Sequence, residues 1–595
     1  ELVGQGDGFR VYPHPTEPNV VYSEMQGAEA IWRFDVAKQQ LKVVKPYPVD
    51  GDPKLRFNWN AAITTSKHNP NRLYAGSQFL HISEDRGDSW KKISPDLTTN
   101  DKTKQNQEES GGLSADNSGA ENHCTIFTIA ESPLTDQVIW VGTDDGNIQL
   151  TQDGGKTWTN LIKNITGLPA NTWCYHIEAS VHGKEIAYAV FDGHAKNDYQ
   201  AYVYKTTDFG KTWKPIVSNQ IGSFVRNIQE DYVNQNLLFI GAENGLHISL
   251  DGGANWSAFT NNFPKVAVHC LELHAEKNSL IAATHGRGII ILDDISPLRN
   301  ISESLLKSNL TFFDTKPFVI SEKSNFGGTA LSNQFVGDNP TSNAKISYFL
   351  PKRHTFGKMV AEIVDMNGNL VSKLEAGKLK GVNTIEWGFN ALAPKVAKGK
   401  GFALAGAPTV KAGKYKVKIS KGTEVFEKEI EVQYDPLSTF TLNERTEQQR
   451  VTQELFNFIQ DLAYFVYNID QWDEKVEEFQ KKNSAPNKNI NKLGEELDAL
   501  REKLVVTKGD NYVGAGEPQL REKLNDIYGT ISSYYGAPST TQIENINSLK
   551  KQFETAKADF EKIKAGNLKA FEKILEKNAT VQKPVIVSFE EFLKL

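Results

Sequence analysis

The chain has 595 residues, of which 39% are hydrophobic and 24% charged, and a formal net charge of −6 at pH 7. This length is too great for one hydrophobic core, so two or three domains are expected. The charge is spread along the chain, which argues against a nucleic-acid surface, and no apolar run approaches the ~20 residues of a direct membrane span.

The cysteines and the N-terminus give few indications of the protein's chemistry. Cys124, Cys174 and Cys270 match no metal-binding or disulfide pattern and are expected to be buried, although Cys124 and Cys174 could pair. The chain begins at Glu1 without a signal peptide, which is typical of a processed or truncated product. No cofactor and no metal site is predicted.

One pattern, Ser/Thr-x-Asp-x-Gly-x-x-Trp, occurs four times in the first half of the chain. The Asp carboxylate can accept backbone N–H groups in a tight turn, Gly supplies a positive φ, and Trp packs between neighbouring sheets. Four copies, each after an alternating apolar strand, are a strong repeat signal. We call each copy a box; the Asp and Trp positions are Asp85 and Trp90, Asp153 and Trp158, Asp208 and Trp213, and Asp251 and Trp256.

Each box belongs to a unit of four short strands, which is the pattern of a β-propeller blade. The sequence predicts a partial blade at 266–292, whose fourth strand is missing. The fold predicted for 1–298 is therefore an incomplete propeller of about five to six blades, which its N-terminus or further sequence would close. The complete blades are predicted at about 8–47 (without a box), 56–95, 124–163, 174–217 and 223–259.

The pattern changes after the propeller. Alternating strands and a hairpin signal at Asn367-Gly368 predict a β-sandwich of the immunoglobulin or fibronectin kind at 310–436. Apolar residues at helical spacing, interrupted by Gly and Pro, predict an α-helical hairpin or bundle module at 440–580. The tail, 581–595, is interpreted as a strand that docks back. The fold class is mainly β, with this helical C-terminal module.

The propeller segments carry a family resemblance. The chain resembles the C-terminal part of bacterial sortilin-type Asp-box (BNR) repeat proteins in the segments GDGFRVYPHPTEPNVVY, LRFNWNAA, SEDRGDSWKKISPDLTTN, VIWVGTDDGNIQLTQDGGKTW and THGRGIIILDD. The resemblance implies a secreted, cell-surface or periplasmic propeller that holds a peptide or protein in or over its ring. Family members often carry the label glycosyl hydrolase, but the label derives from the boxes, which are turns.

The boxes mark one face of the ring, so binding groups are expected on the opposite face, where loops vary freely. A polar insertion at about 96–123, which includes Glu121, is interpreted as a functional lid or a mobile segment. The residues predicted to bind ligand on this face are Arg56, Trp59, Gln78, His123, Trp173, His194, Arg226, His285 and Arg287.

Two chemical hypotheses use this face. An anion site could form where Arg56, Arg226 and Arg287 converge, although the Arg287 loop is also explained as a Gly-rich turn paired with Asp293 or Asp294. Glycoside hydrolysis needs two carboxylates, with Trp59 and Trp173 as sugar platforms; the alternative is that the acidic segments only form turns. The candidate carboxylates are Asp144 or Asp145 opposite Asp192 or Glu243.

The preferred interpretation is a non-catalytic binding or scaffold protein, secreted or in the cell envelope, for a protein, peptide or glycan ligand. The alternative is a glycoside hydrolase acting on a polysaccharide. A third alternative is a structural subunit of a larger envelope assembly, which exposed apolar surface on the helices at 440–595 would favour.

Overall fold

The computed structural model describes residues 6–106, 122–217, 220–322, 341–400, 405–483, 487–508, 517–577 and 580–595. It divides into two compact units, Glu1–Ile301 and Ser302–Leu595. Most of the predicted insertion, including Glu121, lies outside the described residues.

The first unit is a β-propeller. Five of its blades are antiparallel sheets of four strands in chain order, and the sixth has three strands among the described residues, which confirms the predicted series of blades. Blades 1 and 2 contain β1 (Val11–Pro13), β2 (Val20–Glu24), β3 (Ile31–Asp35), β4 (Gln40–Val43), β5 (Ala62–Thr65), β6 (Leu73–Gly76), β7 (Leu80–Ser83) and β8 (Lys91–Lys92). Blades 3 and 4 contain β9 (Ile126–Glu131), β10 (Ile139–Thr143), β11 (Ile148–Thr151), β12 (Thr159–Asn160), β13 (Trp173–Ala179), β14 (Ala187–Asp192), β15 (Tyr202–Thr206) and β16 (Lys214–Pro215). Blades 5 and 6 contain β17 (Val225–Glu230), β18 (Leu238–Ala242), β19 (Gly245–Ser249), β20 (Ser257–Ala258), β21 (Val268–His274), β22 (Ser279–Thr284) and β23 (Ile289–Leu292).

Apolar clusters join consecutive blades. The second strands β10 and β18 are buried at every position, because a blade packs on each of their faces. Between blades 3 and 4, for example, Trp140 packs with Ile177 and Trp213 in one cluster. The fourth strands are exposed and form the rim of the ring.

The boxes fasten each blade to the one before it. Within a box the Asp carboxylate closes the turn, as Asp85 Oδ1 does by accepting the Ser89 N–H at 2.8 Å. In three of the four boxes the Trp indole N–H then donates to a carbonyl at the end of the preceding blade. These bonds join Trp90 to Val44 at 2.7 Å, Trp158 to Ile93 at 3.0 Å and Trp256 to Ile216 at 2.7 Å.

Replacing Trp158 by Phe should therefore lower the free energy of unfolding by about 1 kcal/mol more than replacing Trp213 by Phe. Both changes shrink a packed ring, but the Trp213 indole N–H has no hydrogen-bond partner among the described residues, whereas the Trp158 indole N–H has two, the carbonyls of Ile93 and Gly155. Urea unfolding of the two variants measures the difference. Equal losses would show that the indole bond between blades adds nothing to stability.

The second unit begins with two packed sheets and continues as helices. Ile346 and Trp387 of one sheet share a cluster with Val417 and Ile430 of the other. One sheet contains β24 (Thr311–Phe312), β26 (Ala344–Leu350) and β29 (Gly381–Trp387); the other contains β25 (Phe318–Ile320), β27 (Met359–Asp365), β28 (Leu370–Glu375), β30 (Gly413–Lys421) and β31 (Glu424–Tyr434). The helices are α1 (Glu303–Lys307), α2 (Leu442–Lys482), α3 (Lys488–Leu504), α4 (Leu520–Ser532), α5 (Thr540–Ile563), α6 (Lys569–Leu575) and α7 (Phe589–Lys594).

Two details differ from expectation. The tail predicted as a docking strand contains helix α7, because Ser588 and Glu591 form a capping box and Phe592 is buried in the helical core. Cys124 and Cys174 are buried free thiols, so they do not pair, and Cys270 is exposed rather than buried. Over the described ranges, every helix is too short or too polar to cross a bilayer.

Candidate binding site at the channel mouth

The first strands of blades 3 to 6 lie side by side around the centre of the ring. These strands are β9, β13, β17 and β21, and we call them the inner strands. A side-chain hydrogen bond links two of them directly, since Gln229 Nε2 of β17 donates to Glu178 Oε1 of β13 at 2.7 Å. The central channel of the propeller is lined by the side chains that point inward from these strands.

Each inner strand contains a β-bulge at the same place. The pairing with the second strand of the blade skips one residue near the start of the inner strand in all four blades. A bulge bends its strand and re-aims a side chain, and bulges are frequent beside functional sites. We call the skipped residues the bulge quartet: Phe127, Tyr175, Arg226 and His269.

Three members of the bulge quartet, Phe127, Tyr175 and Arg226, belong to a continuous row of side chains in contact. The Arg10 guanidinium lies 5.1 Å from the centre of the Phe127 ring, and Phe127 lies 5.0 Å from Tyr175. The Arg226 guanidinium is packed between two rings, 5.0 Å from Tyr175 and 5.1 Å from Phe224. We call these five residues the stacked row. It combines two buried rings, Phe127 and Phe224, with the half-buried Tyr175 ring and two half-buried, permanently positive guanidinium groups.

Two predicted residues flank the stacked row. The Trp173 ring lies 4.8 Å from Phe127 in an edge-on arrangement. The His194 ring is stacked 4.9 Å from Phe224, and its Nδ1 lies 2.7 Å from Asp192 Oδ1. The sequence therefore located part of this surface, through Trp173, His194 and its carboxylate.

Two buried donors in this surface have no hydrogen-bond acceptor among the described residues. They are Trp173 Nε1 and Arg226 Nε. Buried polar groups in folded proteins are nearly always hydrogen-bonded, so an unused donor needs an explanation. An acceptor group of a bound ligand would supply one.

The charges around Arg226 are partly balanced. Its Nη1 lies 3.5 Å from Asp192 Oδ2, and its Nε lies 3.9 Å from Glu243 Oε2. His269 Nε2 is also 3.9 Å from Glu243, and its ring is stacked 5.1 Å from His285. Burial, together with the positive charge of Arg226 and His285, lowers the pKa of His269 to about 4. His269 is thus neutral near pH 7, and Arg226 is the permanent cation here.

Asp144 is buried, and its carboxylate forms hydrogen bonds within the protein. It is 3% exposed and accepts hydrogen bonds from Asn58 Nδ2 at 2.9 Å, from the Thr125 N–H at 2.9 Å and from the Thr125 hydroxyl. Its Oδ1, which accepts the Thr125 N–H, also lies 3.5 Å from His123 Nδ1. Burial raises the pKa of Asp144, and these hydrogen bonds and His123 oppose that rise. The carboxylate joins the connection before blade 2 to the start of blade 3.

Asp145 has a similar position. It is 1% exposed and accepts the Thr99 N–H at 2.7 Å and the Thr99 hydroxyl at 2.6 Å, while the Thr143 hydroxyl donates to its other oxygen. Of the four candidate carboxylates, only Glu243 has substantial exposure, with 44% of its side chain accessible. Asp192 and Glu243 are brought together, on either side of Arg226.

Arg56 and Gln78 also make contacts within the protein. Arg56 Nη2 pairs with Asp96 at 3.0 Å and donates to the Cys124 carbonyl at 3.3 Å. The buried Gln78 side chain accepts the Arg56 N–H at 2.8 Å and donates to the Lys54 carbonyl at 3.0 Å. Of the three arginines predicted to converge, only Arg226 belongs to the stacked row.

The remaining predicted residues, Trp59, His285 and Arg287, lie outside the stacked row. Trp59 is half-buried, and its carbonyl accepts the Gly27 N–H at 3.0 Å. His285 is exposed beside His269. Arg287 is exposed in the turn between β22 and β23, where its N–H donates to the Thr284 hydroxyl at 3.2 Å.

Sequence reasoning missed most of the stacked row. The signal was present in the inner strands, whose segments IFTIAE, CYHIEA, VRNIQE and VHCLEL align without gaps. The second residue of each segment follows a buried residue and varies in chemistry, and it is the position of the bulge. The residues missed were Arg10, Phe127, Tyr175, Phe224 and His269.

Comparisons with known proteins give partial matches. No family model matches the chain. It is 22% identical over 231 residues to the oligoxyloglucan-reducing end-specific xyloglucanase of Emericella nidulans, covering 36% of this chain and 25% of that protein. It is also 22% identical over 232 residues to the probable oligoxyloglucan-reducing end-specific xyloglucanase of Neosartorya fischeri, covering 36% of this chain and 24% of that protein. The matched region thus spans about a quarter of these relatives.

The solved structures that are similar to this chain are also propellers. The GH74 xyloglucanase of Xanthomonas campestris has a TM-score of 0.33 at 16% identity, covering 49% of this chain and 52% of that chain. The GH74 enzyme of Niastella koreensis has a TM-score of 0.29 at 14% sequence identity, covering 70% of this chain and 71% of that chain. YCF48 from Cyanidioschyzon merolae has a TM-score of 0.31 at 14% sequence identity, covering 49% of this chain and 84% of that chain. At these scores the likeness concerns the fold alone.

Proposed function

We propose that the propeller is a non-catalytic binding module of a secreted or cell-envelope protein of the sortilin-type Asp-box (BNR) kind. Its ligand, a glycan or a peptide, lies at the channel mouth on the stacked row. The observation that carries this proposal is the bulge quartet, because four consecutive blades each deform the same strand position to present a side chain there.

The chemistry of this surface suits a polymer with flat or apolar faces and polar edges. Rings such as Tyr175 and Trp173 offer large contact areas at little cost in side-chain entropy. The unused donors Trp173 Nε1 and Arg226 Nε would bind ligand oxygens. The xyloglucanase relatives favour a glycan as the first ligand to test. The sandwich and helices of the second unit would act as a spacer or docking module.

The alternative, a glycoside hydrolase, draws on the same relatives but has less support from the carboxylates. A catalytic pair must face substrate, with one group free to accept or donate a proton. Asp144 and Asp145 are buried and hydrogen-bonded by their neighbours, and Asp192 is held by His194 and Arg226. Glu243 alone is open, so a two-carboxylate mechanism lacks a second accessible member in this surface.

A binding assay tests the proposal. The full chain is screened against a glycan array that contains xyloglucan oligosaccharides and against a peptide library, and hits are measured by titration calorimetry. Replacing Trp173 by Ala should weaken binding of a hit by about 30-fold, the size typical of an aromatic hot spot. Replacing Tyr534 by Ala is the control, because this tyrosine is 56% exposed and lies in the second unit.

Three outcomes would count against the proposal. The wild-type chain could bind no glycan and no peptide. Trp173 and Tyr534 replacements could weaken binding equally. Xyloglucan turnover that is lost when Glu243 is replaced by Gln would instead establish the hydrolase alternative.

A further inference from the structure

Two loops meet at one end of the two packed sheets in the second unit. The loop 351–358 connects β26 to β27, and the loop 376–380 connects β28 to β29, so each loop crosses from one sheet to the other. The His354 N–H donates to the Lys378 carbonyl at 2.9 Å, which joins the two loops. We call this pair of loops the basic tip, because its exposed charged side chains are Lys352, Arg353, Lys358, Lys378 and Lys380.

The positive charge of the basic tip is largely unbalanced. The two loops contain no acidic residue, and none of their five cations forms an ion pair within the part of the chain that the structure describes. Between the neighbouring strands β30 and β31 the opposite holds, since Lys414 pairs with Glu429 at 2.7 Å. With Glu375 at the end of β28 counted, and Lys421 and Glu424 of the adjoining turn cancelling, an excess of four positive charges remains. Such a surface attracts anions, although the whole chain has a net charge of −6.

Two apolar side chains are exposed among these charges. Phe356 is 88% exposed and Leu379 is 61% exposed. The backbone of Leu379 is fixed in this position, since Asn383 Oδ1 accepts its N–H at 3.1 Å and Asn383 Nδ2 donates to its carbonyl at 2.7 Å. Gly357, with φ +87°, forms the turn beside Phe356. The loops therefore hold apolar groups in water, next to cations, at the outermost part of this end.

The basic tip lies within a continuous described range, 341–400. The described neighbours of 323–340 lie at the other end of the two sheets. Ile320 is paired with Tyr434, the last residue of β31, whereas the start of β31 lies beside the basic tip, where the Gly422 N–H donates to the Lys358 carbonyl at 3.4 Å. Ala344 begins β26, which reaches the basic tip only at its other end.

We propose that the basic tip docks the second unit on the surface of a bilayer that contains anionic phospholipids. The five cations would lie at the level of the lipid phosphates, and a cluster of about four to eight Lys or Arg is typical of surfaces that bind anionic lipids. Phe356 and Leu379 would enter the boundary between headgroups and acyl chains, where such side chains are favoured. They favour a bilayer over a soluble polyanion, which offers them no apolar phase. The proposal is independent of the ligand at the channel mouth.

Co-flotation of the full chain with vesicles tests the proposal. Phosphatidylcholine vesicles that contain about 30% of the anionic lipid phosphatidylglycerol are compared with vesicles of phosphatidylcholine alone. The chain should bind the anionic vesicles at least about 10-fold more tightly than the neutral ones. Binding should weaken as the salt concentration is raised toward about 1 M, where the screening length falls to about 3 Å.

The contribution of charge is tested by the double replacement Lys378→Glu with Lys380→Glu. It should weaken binding by more than about 25-fold, since each cation lost near an anionic surface costs about 5-fold. The matched control is Lys481→Glu with Lys562→Glu, which makes the same change of net charge at helical lysines that are 75% and 77% exposed. The control should weaken binding by less than about 2-fold, because charges far from the bilayer are screened.

The contribution of apolar insertion is tested by Phe356→Ala. This replacement should weaken binding by about 10-fold, through the loss of apolar surface that the bilayer would bury. Leu437→Ala is the matched control, since Leu437 is also 88% exposed but follows β31 at the other end of the sheets. It should bind like the wild type.

A wild-type chain that does not float with anionic vesicles would overturn the proposal, and so would equal binding to neutral vesicles. The same holds if either variant loses no more binding than its control. Binding to soluble dextran sulfate without binding to vesicles would assign the basic tip to an anionic polymer instead. All replaced side chains are exposed, so folding should be retained, and circular dichroism melting checks this.

Discussion

Replacing Asp144 by Ala should lower the free energy of unfolding by about 3–5 kcal/mol, the range for breaking a buried charged network. The carboxylate accepts three hydrogen bonds, from Asn58 and from the backbone and side chain of Thr125. Its removal leaves those donors unsatisfied in a buried place, where each lost bond is costly. Urea unfolding followed by fluorescence measures the change.

Glu243 supplies the control for this prediction. It lies in the corresponding loop of blade 5, but 44% of its side chain is exposed, so replacement by Ala should change stability by no more than about 0.5 kcal/mol. A loss at Asp144 no larger than the loss at Glu243 would contradict a structural role. If Asp144→Asn kept stability but removed a measured turnover, the carboxylate would have to be assigned to catalysis.

The blades could be predicted from sequence because their signals are local. A box fixes the turn between two strands through residues within eight positions, and the alternation of apolar residues marks the strands on either side. Strand β10, for example, occupies Ile139–Thr143, inside the blade predicted at 124–163. The missing fourth strand of blade 6 was also visible, as the absence of a box and of a strand after β23.

The site could be predicted only in part because it depends on pairing across strands. Whether a residue at the start of an inner strand is paired or skipped depends on the register with β10, β14, β18 or β22, which is not a local property. Arg226 was identified by its charge, whereas Phe127 and Tyr175 resemble ordinary core residues. Asp144 shows the opposite error, since an acidic loop residue can be buried when neighbouring blades supply donors.

The helix at the tail was predictable from a signal that was not used. Ser588 and Glu591 are spaced as in a capping box, and the apolar residues Phe589 and Phe592 follow helical rather than strand spacing. Burial of Phe592 needs helix spacing, because it packs in the same cluster as residues of α2 and α5. The short apolar stretch before it, Val585–Val587, favoured the strand interpretation.

A second buried carboxylate, Glu24, should give the propeller a distinct dependence of stability on pH. It ends strand β2, is 0% exposed, and its Oε1 accepts the N–H groups of Phe9 and Arg10, each at 3.0 Å. Its Oε2 has no hydrogen-bond partner among the described residues. Burial raises the pKa of Glu24 to about 7, although the backbone bonds and Arg10 oppose the rise.

The sign of the effect follows from proton binding. The ordinary pKa is 4.5, so between pH 4.5 and 7 the folded chain holds a proton that the unfolded chain has lost. Stability from this group is complete below pH 4.5, falls as the pH rises toward 7, and is then constant. A shift of this size corresponds to about 3 kcal/mol. Replacing Glu24 by Gln should remove that pH dependence, so the variant gains about 3 kcal/mol relative to the wild type between pH 4.5 and 7.5.

Urea unfolding at several pH values measures this gain, with Glu554→Gln, a replacement at a 69% exposed side chain, as the control whose curve should run parallel to the wild type. A Glu24→Gln curve that is also parallel would contradict the prediction.

The result bears on the binding surface as well. Glu24 holds the backbone of Arg10, and the Arg10 guanidinium covers the Phe127 ring and donates to its carbonyl at 2.8 Å. The protonation of one buried carboxylate is therefore coupled to the position of the first member of the stacked row.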